Sequence, residues 1–113
     1  MLKTTEQVKD FIIDCLEEKK AEDITCIDLG EKVALAKYMI FASGRSIKNI
    51  GAIAEHISIE LKHQANLKVN IEGLGNSNWV LIDIGDIIVH IFHPEARNHF
   101  QLEELWHKRV SKH

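Results

Sequence analysis

Asp83, Asp86 and His90 lie close together in NWVLIDIGDIIVHIF, residues 78–92. Two carboxylates and an imidazole are the donor types that hold a divalent metal or relay a proton. They are equally the polar groups of a surface that grips another protein. A second stretch, ASGRS at residues 42–46, is a small-residue turn opening a helix. Such a turn can present backbone N–H groups to an anion. It matches neither of the glycine-rich phosphate fingerprints, G-x-x-x-x-G-K-[ST] or G-x-G-x-x-G. A nucleotidyltransferase-type site would add a nearby Asp-x-Asp to hold magnesium, whereas Asp83 and Asp86 are far downstream and spaced differently. His93 and His99 make no helical H-x-x-x-H pair. Cys15 and Cys26 lack metal-ligand spacing and are expected to be small buried hydrophobes in a reducing compartment. No cofactor or metal site is expected. The enzymatic alternative is a small nucleotidyltransferase-like enzyme or metal-dependent hydrolase that uses ASGRS with the Asp/His cluster.

Whether these groups meet depends on the elements that carry them. A chain of 113 residues, 45% hydrophobic and 27% charged, suits one globular domain over residues 1–113. No apolar run reaches the roughly 20 residues of a membrane helix. The opening MLKTTEQVKDFIIDC interleaves charges with apolar residues, unlike a secretory signal. Residues 4–19 have one apolar stripe (Val8, Phe11, Ile12, Cys15, Leu16) and a Thr4/Gln7 capping box, which predicts a helix. DITCIDL and AKYMIFAS read as paired strands, separated by a charged GEK turn. Ser46 is placed to cap a helix over 47–63, with Ile47, Ile50, Ala54, Ile57 and Leu61 facing inward and Gly51 allowing close approach to the sheet. LKVNIEG, residues 67–73, predicts a third strand. The opening stretch supplies two more, and QLEELWHKR a closing helix. The expected fold is α+β, a five-stranded mixed sheet flanked by helices in the order α-β-β-α-β-β-β-α.

Gly85-Asp86 between apolar runs is a two-residue hairpin signal. It sets Ile84 against Ile87, Asp83 against Ile88, Ile82 against Val89, Leu81 against His90, Val80 against Ile91 and Trp79 against Phe92. Alternation then divides the hairpin into two faces. Val80, Ile82, Ile84, Ile87, Val89 and Ile91 form a β-branched face for the core beneath the helices. Trp79, Leu81, Asp83, Ile88, His90 and Phe92 form a mixed face, suited to an interface centre or to a second core layer. Asp86 falls in the turn. Asp83 and His90 sit diagonally, roughly 7–8 Å apart between backbones. A structural contact between them is expected ahead of a metal site.

Charge points in the same direction. The whole chain carries −3, and five acids with one base between Trp79 and Trp106 put −4 in that region. Phosphate contacts need clustered Lys and Arg, so little direct nucleic-acid contact is expected and a basic protein is the natural partner.

Residues 5–107 resemble the ribosomal silencing factor family, also called the Iojap-related family. The resemblance rests on LAKYMIFASGRS with the following IKNIGAIAEHI, on NWVLIDIGDIIVHIF, and on R-x-x-F-x-L-E-x-L-W from Arg97 to Trp106. It implies a cytoplasmic, non-enzymatic factor that binds the large ribosomal subunit through its fourteenth ribosomal protein. There it would block joining of the small subunit and lower translation when nutrients are scarce. It also implies a nucleotidyltransferase-like fold without the catalytic acids. Lys37 stands where the family usually has aspartate, and Phe100 where tyrosine is common.

On that basis Trp79, Leu81, His90 and Phe92 are expected as apolar anchors, and Asp83 with Glu103 and Glu104 as docking charges. Phe100, Leu102, Leu105 and Trp106 extend the patch or pack their helix on the sheet. Arg97 is expected to clamp the acidic loop, ahead of a contact to ribosomal RNA. Self-association of the hairpin into a homodimer is a further expectation.

Overall fold

The computed structural model describes residues 2–30, 35–73 and 78–96. Helix α1 covers Thr5–Glu18. Its first turn is closed by the capping box: Gln7 N–H donates to Thr4 Oγ1 at 3.0 Å, and Gln7 Oε1 accepts from Thr4 N–H at 3.2 Å. Val8, Ile12, Cys15 and Leu16 are buried along one stripe, as their spacing requires.

Strands β1 (Glu22–Asp28) and β2 (Tyr38–Ser43) pair antiparallel, and helix α2 (Ile47–Ala65) follows. Then come β3 (Asn70–Glu72), β4 (Trp79–Asp83) and β5 (Ile87–Phe92). The sheet order is β1-β2-β5-β4-β3, with β2 and β5 parallel and the other neighbours antiparallel. The fold is therefore the expected α+β arrangement on a five-stranded mixed sheet. The closing helix over QLEELWHKR and most of the GEK turn lie outside the described residues.

The hairpin register agrees with the sequence at every position, from Trp79 opposite Phe92 to Asp83 opposite Ile88. Ile84 N–H donates to Ile87 O at 3.0 Å, and Gly85 takes φ +90°, open to glycine without strain. Val80, Ile82, Ile87, Val89 and Ile91 are buried in one core with the inner stripes of both helices, and Ile84 packs at its margin. The opposite face carries a second core of Ile27, Leu29, Ala36, Met39, Phe41, Ile88, Phe92 and Ala96. Strand β5 is central and all six of its residues are buried, which is why its sequence reads almost wholly apolar.

Four expectations need correction. In α2, Ile47 is 40% exposed, while Ile53 is fully buried beside Ile50, Ala54, Ile57 and Leu61. Ile47 is the first helical residue, right after the Ser46 cap, where the protein covers it only in part. A Cβ on Gly51 would meet nothing within 4 Å. The close approach is at Gly44 instead, where a Cβ would lie 2.6 Å from Ile50 Cγ1.

The third strand has three residues rather than seven; Leu67 and Val69 pack against the helix-side core before the ladder begins. Finally, the hairpin is not the free edge that self-pairing was expected to use: β5 lies between β2 and β4, and β3 pairs with Leu81, Ile82 and Asp83 of β4. The sheet edges are β1 and β3.

Candidate protein-docking face

The face opposite the helices is built around a block of rings. The parallel register of β2 and β5 sets Phe41 opposite His90, and the hairpin register sets Trp79 opposite Phe92. Phe41 and His90 stack with centroids 4.9 Å apart and planes 9° from parallel. His90 and Phe92 stack at 5.8 Å, and Trp79 and Phe92 at 5.3 Å. Such pairs add roughly 0.5–1.5 kcal/mol each beyond their burial.

Trp79 Nε1–H donates to His90 Nδ1 at 3.1 Å. Burial holds the imidazole down to a pKa of about 4, so it is neutral at physiological pH. With Nδ1 accepting, the proton sits on Nε2, which is buried and has no hydrogen-bond partner among the described residues. An unmet donor of this kind costs about 1–3 kcal/mol. The rigid ring stack around His90 offsets that cost.

The three groups first considered for chemistry are dispersed. His90 pairs with Trp79, not with Asp83. Asp83 is exposed, and its Oδ1 accepts from Gly85 N–H at 2.9 Å, closing the turn. The expected Asp83–His90 contact is therefore replaced by a turn bond on one side and an indole bond on the other. Asp86 Oδ2 accepts from Thr5 Oγ1 at 3.2 Å, placing a carboxylate at the N-terminus of α1 where the helix dipole favours it. The Asp86 carbonyl accepts from Lys37 and Tyr38 N–H, so this turn also anchors β2. Among the described residues no group of three His, Cys, Asp or Glu is placed to hold a metal.

Two N–H groups of the ASGRS turn are taken up by the rest of the chain, and its serine caps α2. Gly44 N–H donates to Phe92 O, Arg45 N–H to Asn49 Oδ1, and Asn49 N–H to Ser46 Oγ. The cysteines are free, and Cys15 is buried, its thiol pushed up to about 11 mainly by burial. Cys26 is exposed, against expectation, because it lies on an edge strand.

Of the residues expected to contact a partner, Asp83 is exposed, and Trp79 and Leu81 are partly buried at the rim. Phe92 and His90 are only 1% and 5% exposed, since they stand on the central strand. They form a floor beneath Trp79. Arg97, Phe100, Leu102, Glu103, Glu104, Leu105 and Trp106 lie outside the described residues.

Glu72 was not foreseen. It pairs with Leu81, as Asn70 does with Asp83, so both join this face. A three-residue strand carries too little alternation to reveal its register in the sequence. The outcome is a rim of Trp79, Leu81, Asp83 and Glu72 over buried rings, an apolar surface with negative charge beside it.

Comparison with known proteins gives a consistent result. The family model described as "Ribosomal silencing factor during starvation" matches residues 2–113. A ribosomal silencing factor of Zymomonas mobilis is 39% identical over 101 residues, covering 89% of this chain and 76% of that protein. Its Bacillus subtilis counterpart is 36% identical over 90 residues, covering 80% of this chain and 76% of that one. The crystal structure of a Chromobacterium violaceum protein superposes with a TM-score of 0.87 at 31% identity, covering 92% of this chain and 87% of the other.

Proposed function

The chain belongs to the ribosomal silencing factor family, and from that premise we propose that it docks on the large ribosomal subunit through the rim of Trp79, Leu81, Asp83 and Glu72. The partner is the subunit's fourteenth ribosomal protein. Occupying that surface keeps the small subunit from joining and lowers translation when nutrients are scarce. The protein works by steric obstruction in the cytoplasm, without catalysis. Among the described residues no helix is long and apolar enough to cross a membrane.

One observation carries the proposal. A partly buried indole, fixed by a hydrogen bond to a buried imidazole, sits at the edge of a carboxylate-bearing face. Rigid aromatic anchors concentrate binding energy at interfaces, and flanking charge speeds and orients encounter. The enzymatic alternative lacks support in geometry: Asp83, Asp86 and His90 each have a different partner.

The test is a subunit-joining assay. Purified protein is added to separated ribosomal subunits and the mixture resolved on a sucrose gradient. The expected result is loss of the joined ribosome peak with the protein comigrating with large subunits. Unimpeded joining with the protein left at the top of the gradient would refute the proposal.

A further inference from the structure

Where the start of α1 and the end of α2 meet the hairpin turn, the surface opens into a cavity of about 290 Å³. It shares no residue with the docking rim and sits at one end of the helix-side core. We propose that this cavity binds a free α-amino acid with an aliphatic side chain. The ammonium of the guest pairs with the Asp86 carboxylate, its carboxylate with the Lys3 ammonium, and its side chain lies against the core. The site is independent of the docking function proposed above.

The walls select the side chain. Val8 and Ile87 are buried members of the helix-side core, while Leu2, Leu67 and Ile84 pack against that core and are only partly buried. All five line the cavity, so the core reaches solvent here. An aliphatic guest removes that apolar surface from water. A volume of about 290 Å³ is at the lower end of small-molecule sites, roughly 300–1,000 Å³, so the guest is small.

The rim selects the head group. Asp86 and Lys3 both line the cavity, and both are exposed. Among the described residues neither side chain forms an ion pair, with the other or with a third group. Asp86 Oδ2 accepts from the Thr5 hydroxyl at 3.2 Å, which fixes the carboxylate beside the cavity and leaves Oδ1 for a guest. A purely cationic guest meets Lys3 and a purely anionic one meets Asp86, each at a cost in like-charge repulsion. A zwitterion satisfies both, and a phosphate does not. An α-amino acid carries the two charges on one carbon, with the aliphatic branch beside them.

The walls are also joined before a guest arrives. Leu2 N–H donates to Gln64 O at 3.1 Å, tying the segment before α1 to the last turn of α2, and the Thr5–Asp86 bond ties α1 to the hairpin. A preformed site gives up little freedom on binding.

The experiment is a titration of the isotopically labelled full chain with L-leucine, up to its solubility limit, read by backbone amide NMR shifts. Saturable shifts are expected at Thr5, Val8, Leu67, Ile84 and Ile87, with none at Leu81 or Asp83. Isoamylamine lacks the carboxylate and isocaproate lacks the ammonium; each is expected to bind about three- to fivefold weaker, the scale of one exposed charge pair. Asp86→Asn keeps an acceptor for the Thr5 hydroxyl. It is expected to weaken L-leucine binding about three- to fivefold and to leave isocaproate binding no weaker. Ala65→Met extends a side chain from a residue that lines the cavity and is expected to abolish the shifts.

No saturable shifts with L-leucine, or shifts confined to residues away from the cavity, overturn the proposal. Isoamylamine or isocaproate binding as tightly as L-leucine overturns the zwitterion and the proposal with it, as does unchanged L-leucine affinity in Asp86→Asn. Circular dichroism establishes that each variant is folded, and the analogue series on the wild-type chain decides the matter where a variant is not.

Discussion

Trp79 Nε1 and His90 Nδ1 are joined by a 3.1 Å hydrogen bond that ties a rim indole to an imidazole only 5% exposed. His90 accordingly acts as a fixed acceptor, and its charge state matters to the fold.

The pH dependence follows from burial. Burial lowers the His90 pKa from 6.5 to about 4, so between those values the unfolded chain binds a proton that the folded chain refuses. Stability from this group is fully present above pH 6.5 and is lost as pH falls toward 4. The change amounts to roughly 3 kcal/mol over that window. Urea unfolding at pH 7, 5.5 and 4.5 should show this decline in the wild type and a shallower one in His90→Phe. Equal pH slopes in the two proteins would mean that His90 is not the group responsible.

Docking is expected to separate from folding at the rim. Trp79→Ala should cost about 1–3 kcal/mol of stability through lost ring contacts, leave the fold intact, and abolish co-sedimentation with large subunits. Asp83→Lys should also abolish it, at a cost of about 0.5–1.5 kcal/mol from the lost turn bond to Gly85 N–H. If both variants still bind with wild-type affinity, a different surface makes the contact.

Two glycines should respond in opposite ways to the same substitution. Gly44→Ala drives a methyl group against Ile50 Cγ1, 2.6 Å away, and is expected to destabilise by about 1–3 kcal/mol. Gly51→Ala adds a methyl group in open space within α2 and should stabilise by about 0.5–1 kcal/mol. Melting temperatures that move the same way for both would contradict the packing described for α2.

The inner stripe of α2 can be checked at Ile53 and Ile47. Ile53→Ala empties a fully buried site and should cost about 2–5 kcal/mol. Ile47→Ala, at a position 40% exposed, should stay within about 1 kcal/mol. Similar unfolding free energies for the two variants would restore Ile47 to the core.

Much of the hairpin was legible because its determinants are local. A glycine at the turn and strict alternation on both sides admit one register, and a one-residue slip would move every isoleucine and valine of the core face to the opposite side. The helix starts were legible for the same reason, since Thr4 with Gln7 and Ser46 with Asn49 satisfy donors within one turn. Ile53 was missed because the buried face of α2 is wider than the stripe through Ile50, Ala54, Ile57 and Leu61. A helix's first residue owes its position to the cap as much as to the core. Glu72 was missed because β3 contains only Asn70, Ile71 and Glu72.

By itself the sequence determined the seven described elements, the two faces of the hairpin and the family. These depend on periodicity, caps, turn chemistry and motif spacing, all of which act over a few residues. Only the tertiary structure decided the fate of the polar groups. The parallel pairing of β2 with β5 brings Phe41 onto His90 across residues far apart in the chain, and so makes β5 central. That burial put His90 and Phe92 in a floor beneath Trp79. It gave the imidazole an indole as partner in place of Asp83, and left Trp79, Leu81, Asp83 and Glu72 at the rim. Long-range pairing sets dielectric and exposure, and neither is written in the spacing of residues along a strand.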